Sequence, residues 1–278
     1  MKFSVLMAVY GGEKPEYLSK SLTSIWDEQS LQPDEIVLVR DGPLSESLEE
    51  IITHWKIKLA SQIKIIAFPI NLGLAVALNQ GLLKCSNEII ARMDSDDISA
   101  PSRFKEQIEF LVTHEEVDIL GSFARNIDEY GTKKDIRQVP EQHQDVLSNI
   151  WACPLIHPSI MFRKSAIIRV GSYKTTVSSR QEDYELWIRS ARYGLIFHNL
   201  PTELLYYRID EAVRKNTAWV GLNRLRIGWH AVTQFNPRLR SYLAISYPLL
   251  RSLLPAPMKN RLHLFAQRYD PRKQKRPS

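Results

Sequence analysis

Three carboxylates within four residues, Asp94, Asp96 and Asp97, follow a short apolar run from Ile89 to Met93. An apolar run bounded by polar residues reads as a buried strand of a parallel sheet. In an open α/β sheet, ligands collect beyond the carboxyl ends of the strands. If the chain stays extended, Asp94 and Asp96 project to one side. Two hard oxygen donors there suit Mg²⁺ or Mn²⁺, ions that complete their shells with substrate phosphates. One carboxylate would suffice to cap the helix that begins near Pro101, but three crowded together repel each other without a cation. A calcium loop is excluded. With Asp94 as position 1, position 6 is Ser99 instead of glycine and position 12 is Lys105 instead of glutamate.

The elements that must hold this cluster are legible upstream. Phe3–Val9, Glu35–Arg40, Ile63–Phe68 and Glu88–Met93 read as strands. Between them, Pro15–Gln29, Leu44–Leu59 and Leu74–Leu83 show helical spacing, with Leu18, Leu22, Ile25 and Trp26 on one face. This βαβαβαβ order predicts an α/β fold with a mostly parallel sheet and helices on both faces. Downstream, Arg103–Val112 reads as a helix and Val117–Gly121 as a strand. Lys133–Gln144 reads as a polar loop, Gln181–Arg192 as an amphipathic helix and Ile196–Tyr207 as a strand pair.

Composition narrows the class. The 278 residues accommodate one large domain with an appendage, or two small domains. Cys85 and Cys153 lie far apart with no CxxC, which argues against a disulfide scaffold or a zinc site. The apolar N-terminus is short, lacks a small-residue cleavage site and meets Gly11-Gly12 early, so it reads as a strand and not a signal peptide. The net charge of +6 hides an asymmetry: after Asp210 stand 14 Lys/Arg against 2 Asp/Glu, and residues 1–210 carry 23 against 29. A basic tail on an acidic body points to an anionic surface as the tail's partner. Residues 1–210 therefore read as an acidic body and 211–278 as a basic helical extension.

Neither GxxxxGK[ST] nor GxGxxG is present. Instead a polar residue ends each early strand: Tyr10, Asp41, Asn71 and the Asp94–Asp97 cluster. Together they would line one sheet edge as a nucleotide-sized crevice. Val9-Tyr10, Val-Arg-Asp41-Gly42, Asn71-x-Gly73-x-x-x-Ala77-x-Asn79-x-Gly81 and Ala91-Arg92-x-Asp94-x-Asp96-Asp97, as an ordered set, resemble the family-2 glycosyltransferases.

That resemblance, which covers roughly residues 1–210, implies a GT-A fold, a nucleotide-sugar donor, a divalent metal and inversion at the anomeric carbon. It implies that Asp41 reads the uracil, that Asn71 and Gly73 form the turn near base and ribose, and that Arg92 stands beside the diphosphate. Asp94 matches the acid near the ribose and Asp96 the metal ligand. Glu182-Asp183 resembles the family's acidic pair at a helix start, with Asp183 as the base and Glu182 supporting it. Helix first turns also favour acids through the macrodipole alone. His157 matches a histidine on the acceptor side, and a lone histidine is as readily structural. Many relatives carry Tyr-Arg-x-His where this chain has Tyr207-Arg208-Ile209-Asp210. Asp210 is then a substitute metal ligand, or the site lacks that ligand.

The tail is a separate signal. Trp219, Leu222, Leu225, Ile227 and Trp229 alternate with Arg224 and Arg226, Tyr242–Leu254 is largely apolar, and Arg268–Arg276 is strongly basic. Apolar and aromatic residues flanked by Arg and Lys suit a helix lying in a membrane interface. The other reading is a helix packed back on the sheet. No recognisable nucleic-acid module accompanies the tail. Bacterial family members of this outline act in O-antigen and exopolysaccharide assembly. The resemblance thus implies transfer of glucose or galactose from a UDP-sugar to GlcNAc-diphosphoundecaprenol at the cytoplasmic face of the inner membrane. A non-catalytic nucleotide-sugar binder and a sugar nucleotidyltransferase are the alternatives. The second would want a Gly-rich, basic loop after the first strand, and Tyr10-Gly11-Gly12-Glu13 offers only part of one.

Overall fold

The computed structural model describes residues 1–177, 181–209, 218–254 and 258. Its first half alternates strand and helix: β1 (Phe3–Tyr10), α1 (Pro15–Ile25), β2 (Glu35–Asp41), α2 (Glu46–Leu59), β3 (Ile63–Ala67), α3 (Leu74–Lys84) and β4 (Ile89–Asp94). Local chemistry explains these bounds. Pro15 opens α1, where the N–H it lacks has no helical partner anyway. The Ser45 side chain caps α2 by accepting from the Leu48 N–H at 3.4 Å. Gly73, at φ 91°, carries the chain into α3 through a conformation that a side chain would strain.

The described strands form one nine-stranded sheet in the order β3-β2-β1-β4-β8-β6-β9-β5, with β7 beside β6. The later strands are β5 (Ile98–Ser99), β6 (Ile119–Ile127), β7 (Lys133–Arg137), β8 (Met161–Arg163) and β9 (Phe197–Arg208). Pairing is parallel from β3 through β4 and again between β6 and β9; β8 turns the direction, running antiparallel to both β4 and β6. Register sets the functional edge. Tyr10 lies opposite Asp41, and Ala8 opposite Asp94, so the polar strand ends share one side of the sheet.

Apolar side chains alternate along β1. Val5, Met7 and Val9 join one core with Leu18, Leu22, Leu48, Trp55 and Phe104; Leu6 joins the other. The first core is closed by α1, α2 and α4 (Arg103–Thr113). The second lies under α3, α6 (Lys164–Arg169), α7 (Glu182–Arg192) and α8 (Ala218–Phe235). At Gly81 a Cβ would stand 2.3 Å from Leu6 Cδ1, so α3 presses on the sheet where no side chain fits.

Two expectations fail here. Lys133–Arg137, expected as a loop, is strand β7, and helix α5 (His143–Ser148) begins before the expected loop ends. An exposed edge strand rich in Lys and Arg has no buried face to produce alternation, so its polar residues imitate a loop. Ile196–Tyr207 is one long strand and not a pair: β9 carries register shifts against β6 near Ser122 and Phe123, beside its own Pro201 and Thr202. A bulge accommodates the proline without ending the strand.

After β9 come α8 and α9 (Leu239–Leu253). They pack on each other and, through Ala231, Val232 and Ile245, on the apolar cluster that also contains Trp187 and Tyr184. A Cβ at Gly221 would fall 2.7 Å from Leu249 Cα, so glycine lets these two backbones approach. Among the described residues, no helix is long and apolar enough to cross a membrane.

Candidate active site

The acidic cluster sits at the end of β4. Asp94, Asp96 and Asp97 each offer one carboxylate oxygen, and these oxygens lie within 4.8 Å of one another. Arg92 is only 2% exposed, and its guanidinium forms an ion pair with Asp94 from beneath. Arg92 is thus a buried cation paired with Asp94 through one nitrogen, with Nε and Nη1 left without hydrogen-bond partners among the described residues. Arg208 clamps the cluster from the other side. Its backbone N–H donates to Asp97 Oδ1 at 2.7 Å, and its Nε donates to the Asp96 carbonyl at 2.8 Å. Asp97 Oδ2 is buried with no hydrogen-bond partner in the structure.

Electrostatics make the cluster costly when empty. Burial, then Asp94 and Glu13, push the Asp96 carboxyl up to about 7. Burial, then Asp96 and Asp94, push Asp97 well up as well. A divalent cation would relieve both, since an opposite charge restores the ionised form. An oxygen-only donor set, a crowded triad and an unpartnered buried oxygen fit Mg²⁺ or Mn²⁺. Asp210, the remaining candidate ligand, lies outside the described residues.

Along the same edge, Asp41 is buried, and its two oxygens accept from Leu72 N–H at 2.7 Å and Gly73 N–H at 3.0 Å. Asn71 Nδ2 donates back to the Asp41 carbonyl at 3.2 Å. Asp41, Asn71 and Gly73 are thus one unit: the carboxylate holds the turn. Gly42, at φ 92°, belongs to it too, because a Cβ there would stand 2.7 Å from the Asn71 nitrogen. Tyr10 is exposed beside this edge, whereas the Val9 side chain is in the core. Only main chain is available from Val9.

The second acidic pair opens α7. Glu182 is buried. Asp183 Oδ1 accepts from the Tyr184 N–H at 2.7 Å, and Oδ2 lies 3.9 Å from Cys153 Sγ. Burial pushes the Asp183 carboxyl up; Arg224 and Arg92 pull it down, and Asp94 raises it. Asp183 therefore feels the same guanidinium and the same carboxylate that define the β4 cluster. Asp183 and the β4 cluster thus lie within electrostatic reach of each other.

Tyr173, a residue that sequence reasoning missed, lies within electrostatic reach of both. It is buried, and its environment includes Arg92, Asp183, Asp94 and Glu182. His157 Nε2 lies 2.8 Å from Tyr173 Oη, and burial holds its pKa well below the usual range. His157 is thus a neutral, buried partner of Tyr173, packed edge-on against Trp187. Asn79 fixes Tyr173 from α3: Nδ2 donates to the Tyr173 carbonyl at 2.7 Å and Oδ1 accepts its N–H at 2.9 Å. Asn79, part of the Asn71–Gly81 motif, is a signal for this clamp; nothing local signals Tyr173.

These shifts predict a pH effect. Asp96, Asp97 and Asp183 bind protons more tightly in the folded chain than in the unfolded one, so stability falls as pH rises through their raised range. His157 acts oppositely below its ordinary value near 6.5, because the unfolded chain then takes up the proton. The clean window is therefore pH 6.5 to 8. Without divalent cation, the melting temperature should fall by a few degrees (roughly 1 kcal/mol) across it. Millimolar Mn²⁺ should restore the loss at pH 8, and Asp96→Asn should flatten the response. A thermal-shift series on the metal-free protein checks this.

The family model described as "Glycosyl transferase family 2" matches residues 4–171. The chain is 39% identical over 225 residues to the amylovoran biosynthesis glycosyltransferase AmsE of Erwinia amylovora, covering 78% of this chain and 80% of the relative. It is 32% identical to the UDP-Gal:α-D-GlcNAc-diphosphoundecaprenol β-1,3-galactosyltransferase of Escherichia coli, covering 82% of each. Among solved structures it resembles residues 1–349 of S. aureus TarS in complex with UDP-GlcNAc. The TM-score is 0.65 at 18% identity, over 91% of this chain and 72% of that one. That likeness shows the GT-A fold.

Proposed function

The chain belongs to glycosyltransferase family 2, and from that premise we propose that it is a cation-dependent, inverting hexosyltransferase. Its donor is UDP-glucose or UDP-galactose, and its acceptor is a GlcNAc carried on polyprenyl diphosphate in O-antigen or exopolysaccharide assembly. The observation that carries this reading is the carboxylate triad at the end of β4, with a buried acid, Asp183, close enough to share the field of Arg92 and Asp94. A relative of this length acts on GlcNAc-diphosphoundecaprenol by its name, which supports the acceptor class.

Asp94, Asp96 and Asp97 would hold the cation, with Asp210 as a further candidate ligand. Mn²⁺ or Mg²⁺ there supplies charge neutralisation for the departing diphosphate. The Asp41–Asn71–Gly73 turn and the exposed Tyr10 receive the uridine. Asp183 takes the proton of the acceptor hydroxyl as its oxygen bonds to the anomeric carbon. The bond from that carbon to the phosphate oxygen breaks, and its electron pair leaves with UDP. A single displacement inverts the configuration. Burial suits Asp183 to proton abstraction, because a carboxyl raised toward the working pH is a stronger base than an exposed one. The macrodipole of α7 would favour its ionised form by only about 0.3–1 kcal/mol, and burial outweighs it. Glu182 and the His157–Tyr173–Asn79 chain position the floor of the cleft.

The division into a body, 1–210, and an extension, 211–278, belongs to the same reading. Leu239, Leu243, Leu250 and Leu253 are exposed at helical spacing along α9, and Trp229 is exposed on α8. With Arg238, Arg240 and Arg251 nearby, this stripe suits the interface of an anionic membrane, and the protein works as a peripheral one at the cytoplasmic face. The reading is tested by a donor screen with Mn²⁺ and a synthetic GlcNAc-diphosphate-lipid acceptor. One UDP-hexose should be turned over with product formation; no turnover of any donor would reject it.

A further inference from the structure

A second cleft, of about 400 Å³, opens between the chain that leads away from Tyr173 and the first turns of α8. Thr176 and Val177 form one wall; Trp219, Asn223, Arg226 and Ile227 form the other. The four α8 residues recur at i, i+4, i+7 and i+8, so they make one stripe of that helix. This stripe is distinct from the face of α8 that meets α9, which is marked by Gly221 against Leu249. Its place next to the catalytic groups is fixed by two contacts. Gln181 Nε2, at the start of α7, donates to the Val220 carbonyl at 2.9 Å, and the Arg224 guanidinium lies 4.8 Å over the Tyr184 ring. Asp183 sits between Gln181 and Tyr184 in sequence.

The chemistry of the wall is specific. Trp219 and Arg226 are both exposed, and Arg226 forms no ion pair among the described residues. An aromatic plane suits the apolar face of a sugar ring, a guanidinium suits paired phosphate oxygens, and an amide suits a hydroxyl. The charge is complementary as well: the extension is basic where the body is acidic. We infer that this cleft is the acceptor subsite, with Trp219 under the acceptor sugar and Arg226 on its diphosphate. The inference rests on the proposed transferase reading. It assigns recognition of the anionic half of the acceptor to α8, beyond the family-matched residues 4–171. The membrane stripe on α9 then serves recruitment, and α8 serves selection.

The test uses two water-soluble acceptors, GlcNAc α-linked through diphosphate to a short alkyl chain, and the neutral α-linked alkyl glycoside of GlcNAc. Both bypass membrane recruitment. The full-length wild type should prefer the diphosphate acceptor by about tenfold or more in kcat/KM, the scale of one charge-assisted bidentate contact. Arg226→Gln should erase that preference through KM, and Arg226→Lys should keep part of it. Trp219→Phe should remove the change in tryptophan fluorescence that the diphosphate acceptor produces in the wild type. A wild type that does not discriminate, or an Arg226→Gln enzyme that still does, overturns the inference while leaving the transferase reading standing. Transfer to neither acceptor by the wild type, with any donor, removes the reading and the inference together.

Discussion

Asp96→Ala is expected to lower sugar transfer by about 10³-fold or more, the scale on which electrostatic stabilisation of a departing group acts. The reason lies in what surrounds the carboxylate. Asp96 is crowded by Asp94 and Glu13 and pushed up to about 7 by burial, and the pull of Arg92 does not offset this, so a bound cation is what would restore its charge. Arg92 is already committed to Asp94, and Arg208 reaches the backbone carbonyl of Asp96. Removing the carboxylate removes the ligand and leaves Asp97, which is held by Arg208 and cannot swing out. Fold should survive, because the variant relieves repulsion, and the melting temperature of the metal-free protein should rise. Mn²⁺ titration followed by water-proton relaxation, beside steady-state transfer, checks both halves. A variant that keeps tight Mn²⁺ binding and wild-type turnover would remove Asp96 from the site.

Asp183→Asn is the complementary case. The amide preserves shape and can still accept from the Tyr184 N–H through its oxygen. It cannot take a proton. Transfer is expected to fall by about 10²–10⁴-fold, the usual contribution of a positioned general base. UDP-sugar binding measured by calorimetry in the presence of Mn²⁺ should stay within about threefold of wild type (under 1 kcal/mol). The separation matters: Asp96→Ala should lose transfer together with donor-dependent metal binding, whereas Asp183→Asn should lose transfer alone. An active Asp183→Asn enzyme would send the base assignment elsewhere, with Glu182 the next carboxylate in the same turn.

The half of the fold that builds the Tyr10–Asp41–Asp94 edge was legible because its physics is local. β1, β2 and β4 are apolar runs closed by a polar residue, and each helix between the early strands carries one apolar stripe. The far half was less legible. Lys133–Arg137 pairs with β6 and shows no hydrophobic period. Pro201 interrupts the pattern of β9 without ending the strand. The site divides the same way. Asp94, Asp96 and Asp97 announce themselves by spacing, whereas Asp183 looks like any acid in a helix first turn and needed the family motif to stand out. Tyr173, His157 and Asn79 meet across 94 residues of chain, and no local pattern reports such a meeting. Arg92 shows the limit of a motif: position was transferable, but its burial against Asp94 came only with the fold.

The most direct measurement of the central claim is the anomeric configuration of the first-formed product. Proton NMR on the reaction of an α-linked UDP-hexose with the GlcNAc-diphosphate acceptor reads it from the coupling constant of the transferred anomeric proton. One displacement, with Asp183 drawing the proton on the face opposite the diphosphate, predicts a β-linked product from the earliest time point. An α-linked product would contradict it, because retention requires a second nucleophile or a front-face route that this cleft assigns to no residue.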